Sequence, residues 1–209
     1  MKDEKPVVFI VDDDPSVRKS LERLLQSVGL AAKSFASASQ FLQSGHGKET
    51  GCVVLDVRMP EISGLDLQEK LAKAGIFLPA IFISGHGTVP MSVRAMKAGA
   101  VDFLLKPFDD QDLLDAVYRA IERCRQEKAQ REELKDIDEK LRTLTAKERE
   151  VFLWVIAGLP NKNIADNLDT AEKTVKVHRA SIMKKMGARS VAELVRMADR
   201  AGIRPATPK

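Results

Sequence analysis

Along the first 124 residues five short runs read as strands, VVFIV at 7–11, AAKSF at 31–35, CVVLD at 52–56, AIFIS at 80–84 and VDFLLK at 101–106, and all but the second are closed by a polar side chain. Several of these runs are apolar throughout rather than alternating, as strands of a parallel sheet buried on both faces must be. Helical periodicity fills the intervals. Asp14 is placed to cap a helix with Pro15 in its first turn, Val17, Leu21, Leu24, Leu25 and Val28 form its apolar stripe, and Gly29 stops it. Pro90 and Gly99 bracket a fourth helix in the same way. Five repeats of strand then helix predict an α/β domain with a parallel sheet, and such sheets hold ligands beyond the carboxyl ends of their strands.

After residue 124 the pattern changes. The segment RQEKAQREELKDIDEKLR at 125–142 has six basic and six acidic side chains, no Gly and no Pro, which predicts a helical linker continuing the fifth helix. Within it and just beyond, Leu134, Ile137, Leu141 and Leu144 follow three-four-three spacing. That spacing fits either a coiled-coil seam or a helix whose apolar side chains pack on the next domain; two heptads are short of what a coiled coil needs, which favours packing. From Leu144 onward the periodicity is purely helical. Thr145 with Glu148 matches a capping box, opening a helix that carries Val151, Phe152, Trp154 and Val155 inward and ends at Gly158 and Pro160. A short helix NKNIADNL, a tight turn at 169–171, a longer helix over 172–186 and a last one from Val191 complete an all-α, four-helix outline. Two helices joined by a brief turn, the second basic, form a helix-turn-helix.

The chain of 209 residues is 44% apolar, enough for two cores, and contains no apolar run long enough to span a bilayer. Its first residues, MKDEKPVV, lack the order of a signal peptide, so a soluble, cytoplasmic protein is expected. Cys52 and Cys124 stand far apart without CxxC spacing, which predicts neither a disulfide nor a zinc site, and His46 beside two glycines reads as loop. Charge is unevenly distributed: residues 143–209 carry 13 Lys and Arg against 7 Asp and Glu, while residues 1–124 carry 15 against 17. A small basic domain is the electrostatic footprint of nucleic-acid binding, although solubility alone also explains such a surplus.

Candidate chemistry collects where the strands end. Asp12 and Asp13 follow the first run, Asp56 closes the third, Ser84 the fourth and Lys106 the fifth. Singly each has a bland explanation, as a cap, a strand end or a turn. Jointly they do not, because neighbouring carboxylates repel and a lysine at the matching strand end compensates them. Carboxylates form a hard oxygen site suited to Mg2+, and with a hydroxyl and an ammonium they would surround a phosphoryl group on Asp56.

These residues carry a family resemblance. The segments VDDD, LDVRMPEISG, SGHG and LLKPF resemble the receiver domain of two-component response regulators, over residues 5–124, and GHGTVPM with AMKAGAVDFLLKPF resembles the FixJ subgroup most; the C-terminal helices resemble the LuxR-type helix-turn-helix. The resemblance implies a flavodoxin-like receiver at 1–124, a linker at 125–142 and a DNA-binding domain at 143–209. It implies Asp56 as phosphoacceptor from a sensor histidine kinase, and Mg2+ held by Asp12, Asp13, Asp56 and the backbone carbonyl of Arg58. Ser84, Lys106 and the aromatic Phe103 would read out the phosphate, and Lys106–Pro107 is a candidate cis peptide. His86 and Arg58 are expected at the pocket mouth. The partners implied are the kinase, double-stranded promoter DNA, RNA polymerase and, on phosphorylation, a second copy of the chain. The protein would be a phosphoacceptor with possible self-dephosphorylation rather than a dedicated enzyme.

One enzymatic alternative has a sequence basis. Asp12, Asp14 and Ser16 spell D-x-D-x-S, close to the nucleophile motif of haloacid-dehalogenase phosphatases, although Asp109 and Asp110 are poor substitutes for their later acidic motif and no cap insertion is visible. For the DNA-reading helix, about 100° per residue puts Val175, Ile182 and Met186 toward the core with His178 beside them. Lys173, Val177, Ala180 and Lys184 face the other way with Lys176 on the flank, available to base edges, while Lys162, Thr174 and Lys185 are expected at phosphates. LuxR-type domains commonly place an aliphatic residue and then Ser before this helix. Thr170 and Ala171 stand there instead, so the helix cap is a point of departure.

Overall fold

The computed structural model describes residues 5–45 and 49–207; His46 lies outside them. The chain divides into two compact units, Met1–Lys128 and Ala129–Lys209.

In the first unit β1 (Val7–Val11), α1 (Pro15–Ser27), β2 (Ala31–Phe35), α2 (Ala38–Gln43), β3 (Gly51–Asp56), α3 (Gly64–Lys73), β4 (Ala80–Ser84), α4 (Val89–Lys97), β5 (Asp102–Leu105) and α5 (Asp110–Arg142) alternate as expected. All strand pairs are parallel, in the order β2-β1-β3-β4-β5, which is the flavodoxin-like arrangement. Because side chains alternate across a strand, the apolar runs feed two cores. Phe9, Phe35, Phe41, Leu55 and Phe82 fill one face, and Val8, Ile10, Val54, Ile81 and Ile83 pack on the other with Leu25 of α1 and Leu113 and Val117 of α5. Asp14 caps α1 by accepting from the Ser16 N–H. The strand limits differ slightly from expectation: β3 begins at Gly51, and β5 is shorter at both ends, although Val101 and Lys106 still donate backbone hydrogen bonds to β4.

α5 continues without a break through 125–142. Its Ile137 and Leu141, with Leu144 just beyond, are buried in the core of the second unit, which bears out packing on the next domain. Each such side chain contributes roughly 1.5–3 kcal/mol by its removal from water. That unit adds α6 (Ala146–Ile156), α7 (Asn161–Asn167), α8 (Glu172–Met186) and α9 (Val191–Arg200), around Val151, Phe152, Val155, Ile164, Val175, Ile182, Met186 and Leu194. The capping box of Thr145 and Glu148 is complete on both sides. Trp154 is only partly buried against this core. Among the described residues no helix is long and apolar enough to cross a membrane.

Candidate functional site

Strand register brings the polar positions together. Val11 is level with Leu55, Asp56 with Ile83, and Ser84 with Leu105, so the residues that close these strands emerge along one edge of the sheet. Asp12, Asp56 and Ser84 are buried there. The Lys106 ammonium donates to Asp12 Oδ2 at 2.8 Å and to Asp56 Oδ1 at 2.9 Å. The remaining carboxylate oxygens are also engaged: Asp12 Oδ1 accepts from the Asp14 N–H at 2.8 Å, and Asp56 Oδ2 from the Arg58 N–H at 2.7 Å. Two buried carboxylates without such partners would each cost several kcal/mol.

Burial raises the Asp56 carboxyl above its ordinary range, the Asp12 charge adds to the rise, and hydrogen bonding to Lys106 draws it partly back. Burial alone would lower the Lys106 ammonium, but its hydrogen bonds to Asp12 and Asp56 outweigh that and hold it high. Gly64 at the start of α3 completes the close packing behind Asp56. A Cβ there would lie 2.3 Å from the Asp56 carbonyl oxygen.

Around this centre Ser84 Oγ accepts from the His86 N–H at 3.2 Å, and His86 itself is exposed, as is Arg58. Phe103 is half-buried, with its ring 6.3 Å from that of Phe82, and a Cβ on Gly87 would fall 2.7 Å from the Phe103 ring. The Lys106–Pro107 bond is cis. Asp13 is exposed beside the buried pair, and among the described residues no three His, Cys, Asp or Glu side chains converge on one point. Asp14, needed for the D-x-D-x-S alternative, turns its carboxylate to the α1 cap. Both cysteines are free and buried, with Cys124 Sγ accepting from the Gly51 N–H and burial pushing the Cys52 thiol up.

In the second unit α7 and α8 are joined by a tight turn in which Asp169 has φ 48° and the Thr170 N–H donates to Ala165 O at 3.0 Å. Ala171 occupies the cap of α8 without a side-chain hydrogen bond, so Thr170 does not replace the missing Ser. Val175, Ile182 and Met186 are fully buried, as their phase predicts, and His178 is intermediate. Lys173, Thr174, Lys176, Ala180 and Lys184 are exposed, Val177 is 64% exposed, and Lys162 is exposed on α7. Lys176 forms an i,i+4 pair with Glu172 at 3.1 Å. Lys185, expected at a phosphate, is found with its ammonium on Glu148 Oε2 at 2.6 Å and the Thr143 carbonyl at 3.0 Å.

Two family models match: the response regulator receiver domain over residues 8–118, and bacterial regulatory proteins of the luxR family over residues 142–198. The chain is a response regulator. It is 51% identical to Nodulation protein W of Bradyrhizobium diazoefficiens over 95% of this chain and 88% of that protein, and 48% identical to the transcriptional regulatory protein FixJ of Rhizobium meliloti over 95% and 97%. Among solved structures, the response regulator StyR is similar with a TM-score of 0.84 and 46% identity, covering 94% of this chain and 99% of that one. A receiver joined to a LuxR-type helix-turn-helix makes this response regulator a transcription factor of a two-component system, with a sensor kinase and DNA as its partners.

Receiver domains of this family typically use Mg2+ for phosphorylation, and the donor set here fits it. Asp12, Asp13 and Asp56 offer hard carboxylate oxygens, and Mg2+ takes only one or two carboxylates directly while keeping several waters, so an exposed Asp13 is compatible with the site.

Sequence reasoning missed three residues in this response regulator. Arg18 of α1 donates to the backbone carbonyls of Asp12 at 2.7 Å and Asp13 at 3.0 Å, bracing the acidic turn. Its place one turn into α1 was the available signal. Arg179 of α8 donates to Asn161 Oδ1 of α7 at 2.9 Å, fixing the two helices together. Glu148 was assigned to the cap alone, yet its Oε1 also accepts from Ser181 Oγ at 2.6 Å; only tertiary packing reveals that.

Proposed function

We propose that Asp56 accepts a phosphoryl group from a phosphohistidine of the sensor kinase and that the phosphorylated chain dimerises and binds promoter DNA through α8. The observation that carries this reading is the Lys106 ammonium shared between the buried carboxylates of Asp12 and Asp56. An Asp56 oxygen attacks phosphorus, the P–N bond to the imidazole breaks, and the ring nitrogen leaves with the electron pair. Mg2+, held by Asp12, Asp13, Asp56 and the Arg58 carbonyl, would neutralise charge between the carboxylate and the phosphoryl oxygens. Lys106 moves from carboxylate to phosphoryl oxygen, a charge-assisted bond at the same strand end. The Ser84 hydroxyl donates to another oxygen, and Phe103 follows it inward. Hydrolysis by water, with Arg58 and His86 at the mouth, ends the signal; the protein is a phosphoacceptor rather than a dedicated enzyme.

The dimerisation reading is supported by apolar exposure on one face of the receiver. Val89 is 76%, Val93 44% and Met96 47% exposed on α4, and Leu105 55% at the end of β5. A second copy of the same face would cover them symmetrically. A ligand shifts a two-state equilibrium only by its differential affinity, so the phosphate must favour the dimerising arrangement through Ser84, Lys106 and Phe103.

On DNA, α8 enters the major groove with Lys173, Lys176, Val177, Ala180 and Lys184 toward base edges, and Lys162 and Thr174 bind phosphates. A dimer then reads an inverted repeat with half-sites about one helical turn apart. RNA polymerase is the downstream partner of such a regulator. The test is sedimentation and duplex binding by the full-length chain with beryllofluoride, a phosphoryl mimic. Dimerisation through α4 supports the reading; a dimer unchanged by Ser84→Ala, or contacts confined to the Leu134 to Leu144 stripe, refutes the switch.

A further inference from the structure

Glu148 is the only buried acidic side chain of the second unit among the described residues. Its place in the capping box explains the reciprocal bonds with Thr145: Glu148 Oε2 accepts from the Thr145 N–H at 2.8 Å, and the Glu148 N–H donates to Thr145 Oγ1 at 3.3 Å. Capping does not explain two further donors from another helix. Ser181 Oγ binds Oε1 and Lys185 Nζ binds Oε2, both at 2.6 Å, and the same ammonium reaches the Thr143 carbonyl. Ser181 and Lys185 are four residues apart, one above the other on α8. They lie on the flank of the exposed face, with Ser181 one turn after Val177 and Lys185 directly after Lys184.

The carboxylate therefore ties the cap of α6 to the second half of α8, and the Lys185 ammonium that it holds adds the Thr143 carbonyl just past α5. A buried charge bonded at this many points tolerates little rotation, since each lost bond leaves an unpaired charge. The apolar packing of α8 through Val175, Ile182 and Met186 constrains spacing but has no direction, and a second directional bond, Arg179 to Asn161 Oδ1, ties α8 to α7 rather than to α6. Rotation about the α8 axis decides which side chains meet base edges.

We propose that Glu148 is a positioning residue for sequence reading, fixing the rotation of α8 through Ser181 and Lys185 and keeping the Lys185 charge off the DNA backbone. It acts on discrimination between sequences more than on affinity for DNA as such. This inference rests on α8 being the reading helix.

The experiment uses the full-length chain with beryllofluoride and two duplexes of equal length, one selected by the wild type from a randomised library and one scrambled. Glu148→Gln keeps a residue suited to the capping box but removes the charge. The expected result is a fall of about tenfold or more in the ratio of selected to scrambled affinity, with scrambled binding retained and its salt slope steeper by about one because Lys185 is released. Lys185→Ala, the second variant should the first fail to fold, is expected to lower the ratio without making the salt slope shallower, and the double variant to match it. A wild-type ratio in both variants, or a Lys185→Ala chain that loses affinity equally on both duplexes with a slope shallower by about one, overturns the proposal. Val177→Ala separates the underlying reading. If it alters preference while Glu148→Gln does not, the clamp alone fails; if neither it nor alanine substitution of Lys173, Lys176 and Lys184 alters preference, α8 is not the reader and the proposal falls with it.

Discussion

The two units of this response regulator put charge to opposite uses. In the receiver, two buried carboxylates and one ammonium are concentrated at the ends of β1, β3 and β5, more charge than the two backbone N–H groups they accept from call for. In the helix-turn-helix unit, most charge is spread over exposed helix faces, and Glu148, the one buried acid among its described residues, is fully engaged inside the protein. Charge concentrated against its own repulsion marks a reacting centre, and charge spread along a face marks a surface that meets a polyanion.

The largest expected effect breaks the first side of that contrast. Asp56→Asn should abolish phosphate incorporation from phosphohistidine or small phosphodonors, because an amide is a poor nucleophile; incorporation at the wild-type rate, measured with radiolabelled donor, contradicts the assignment. Incorporation mapped to Asp12 would revive the phosphatase alternative. Next, Lys106→Ala should accept phosphate at least about tenfold more slowly, on the scale of a lost charge-assisted bond, and should fail to dimerise once phosphorylated. Wild-type dimerisation of that phosphorylated variant would remove Lys106 from the readout.

Gly64→Ala tests how tightly α3 is packed behind the pocket. A Cβ 2.3 Å from the Asp56 carbonyl oxygen forces backbone movement, expected to cost about 1–3 kcal/mol in denaturant unfolding of the receiver. An unchanged midpoint would show that the helix start yields freely.

That pocket was legible in the sequence for a physical reason. Parallel strands buried on both faces leave continuous apolar runs, so any polar residue closing a run stands out, and Asp12, Asp56, Ser84 and Lys106 all do. The helical phase of α8 was legible for a similar reason, since Val175, Ile182 and Met186 repeat at the core-facing period. What could not be read were bonds between elements distant in sequence. Lys185 looked like any basic residue on a helix flank, and nothing local says that it faces Glu148, 37 residues earlier. Arg179 was hidden likewise, because a long flexible side chain reveals its target only when the fold brings the target near, whereas Arg18 reaches carbonyls only five and six residues back, where its place in α1 is a local signal.

On the DNA-reading side, Lys176→Ala should cost about 1–3 kcal/mol and relax preference at one base position, whereas Lys162→Ala should weaken all sequences alike and lower the salt slope by about one. If both act uniformly across a randomised library, Lys176 contacts only phosphate and preference comes from Val177, Ala180, Lys184 or DNA shape.

The smallest effect is a pH dependence confined to the second unit. Bonds from Lys185, Ser181 and Thr145 hold the Glu148 carboxyl at about 2, below its unfolded value. A depressed carboxyl stabilises the fold above its unfolded pKa and loses that contribution as pH falls through the folded one, so the loss should run from the ordinary carboxylate range down to about 2. The single tryptophan, Trp154, lies in this unit, so its fluorescence during thermal unfolding reports the change, and Glu148→Gln should flatten this part of the slope.

The most direct test of the central claim is sedimentation of the full-length wild type and Asp56→Asn, each with and without beryllofluoride and Mg2+. The account predicts that the wild type shifts from monomer to dimer only when both are present and that Asp56→Asn does not shift. A wild type indifferent to the mimic, or an Asp56→Asn chain that dimerises with it equally well, would contradict the claim that Asp56 is the switch.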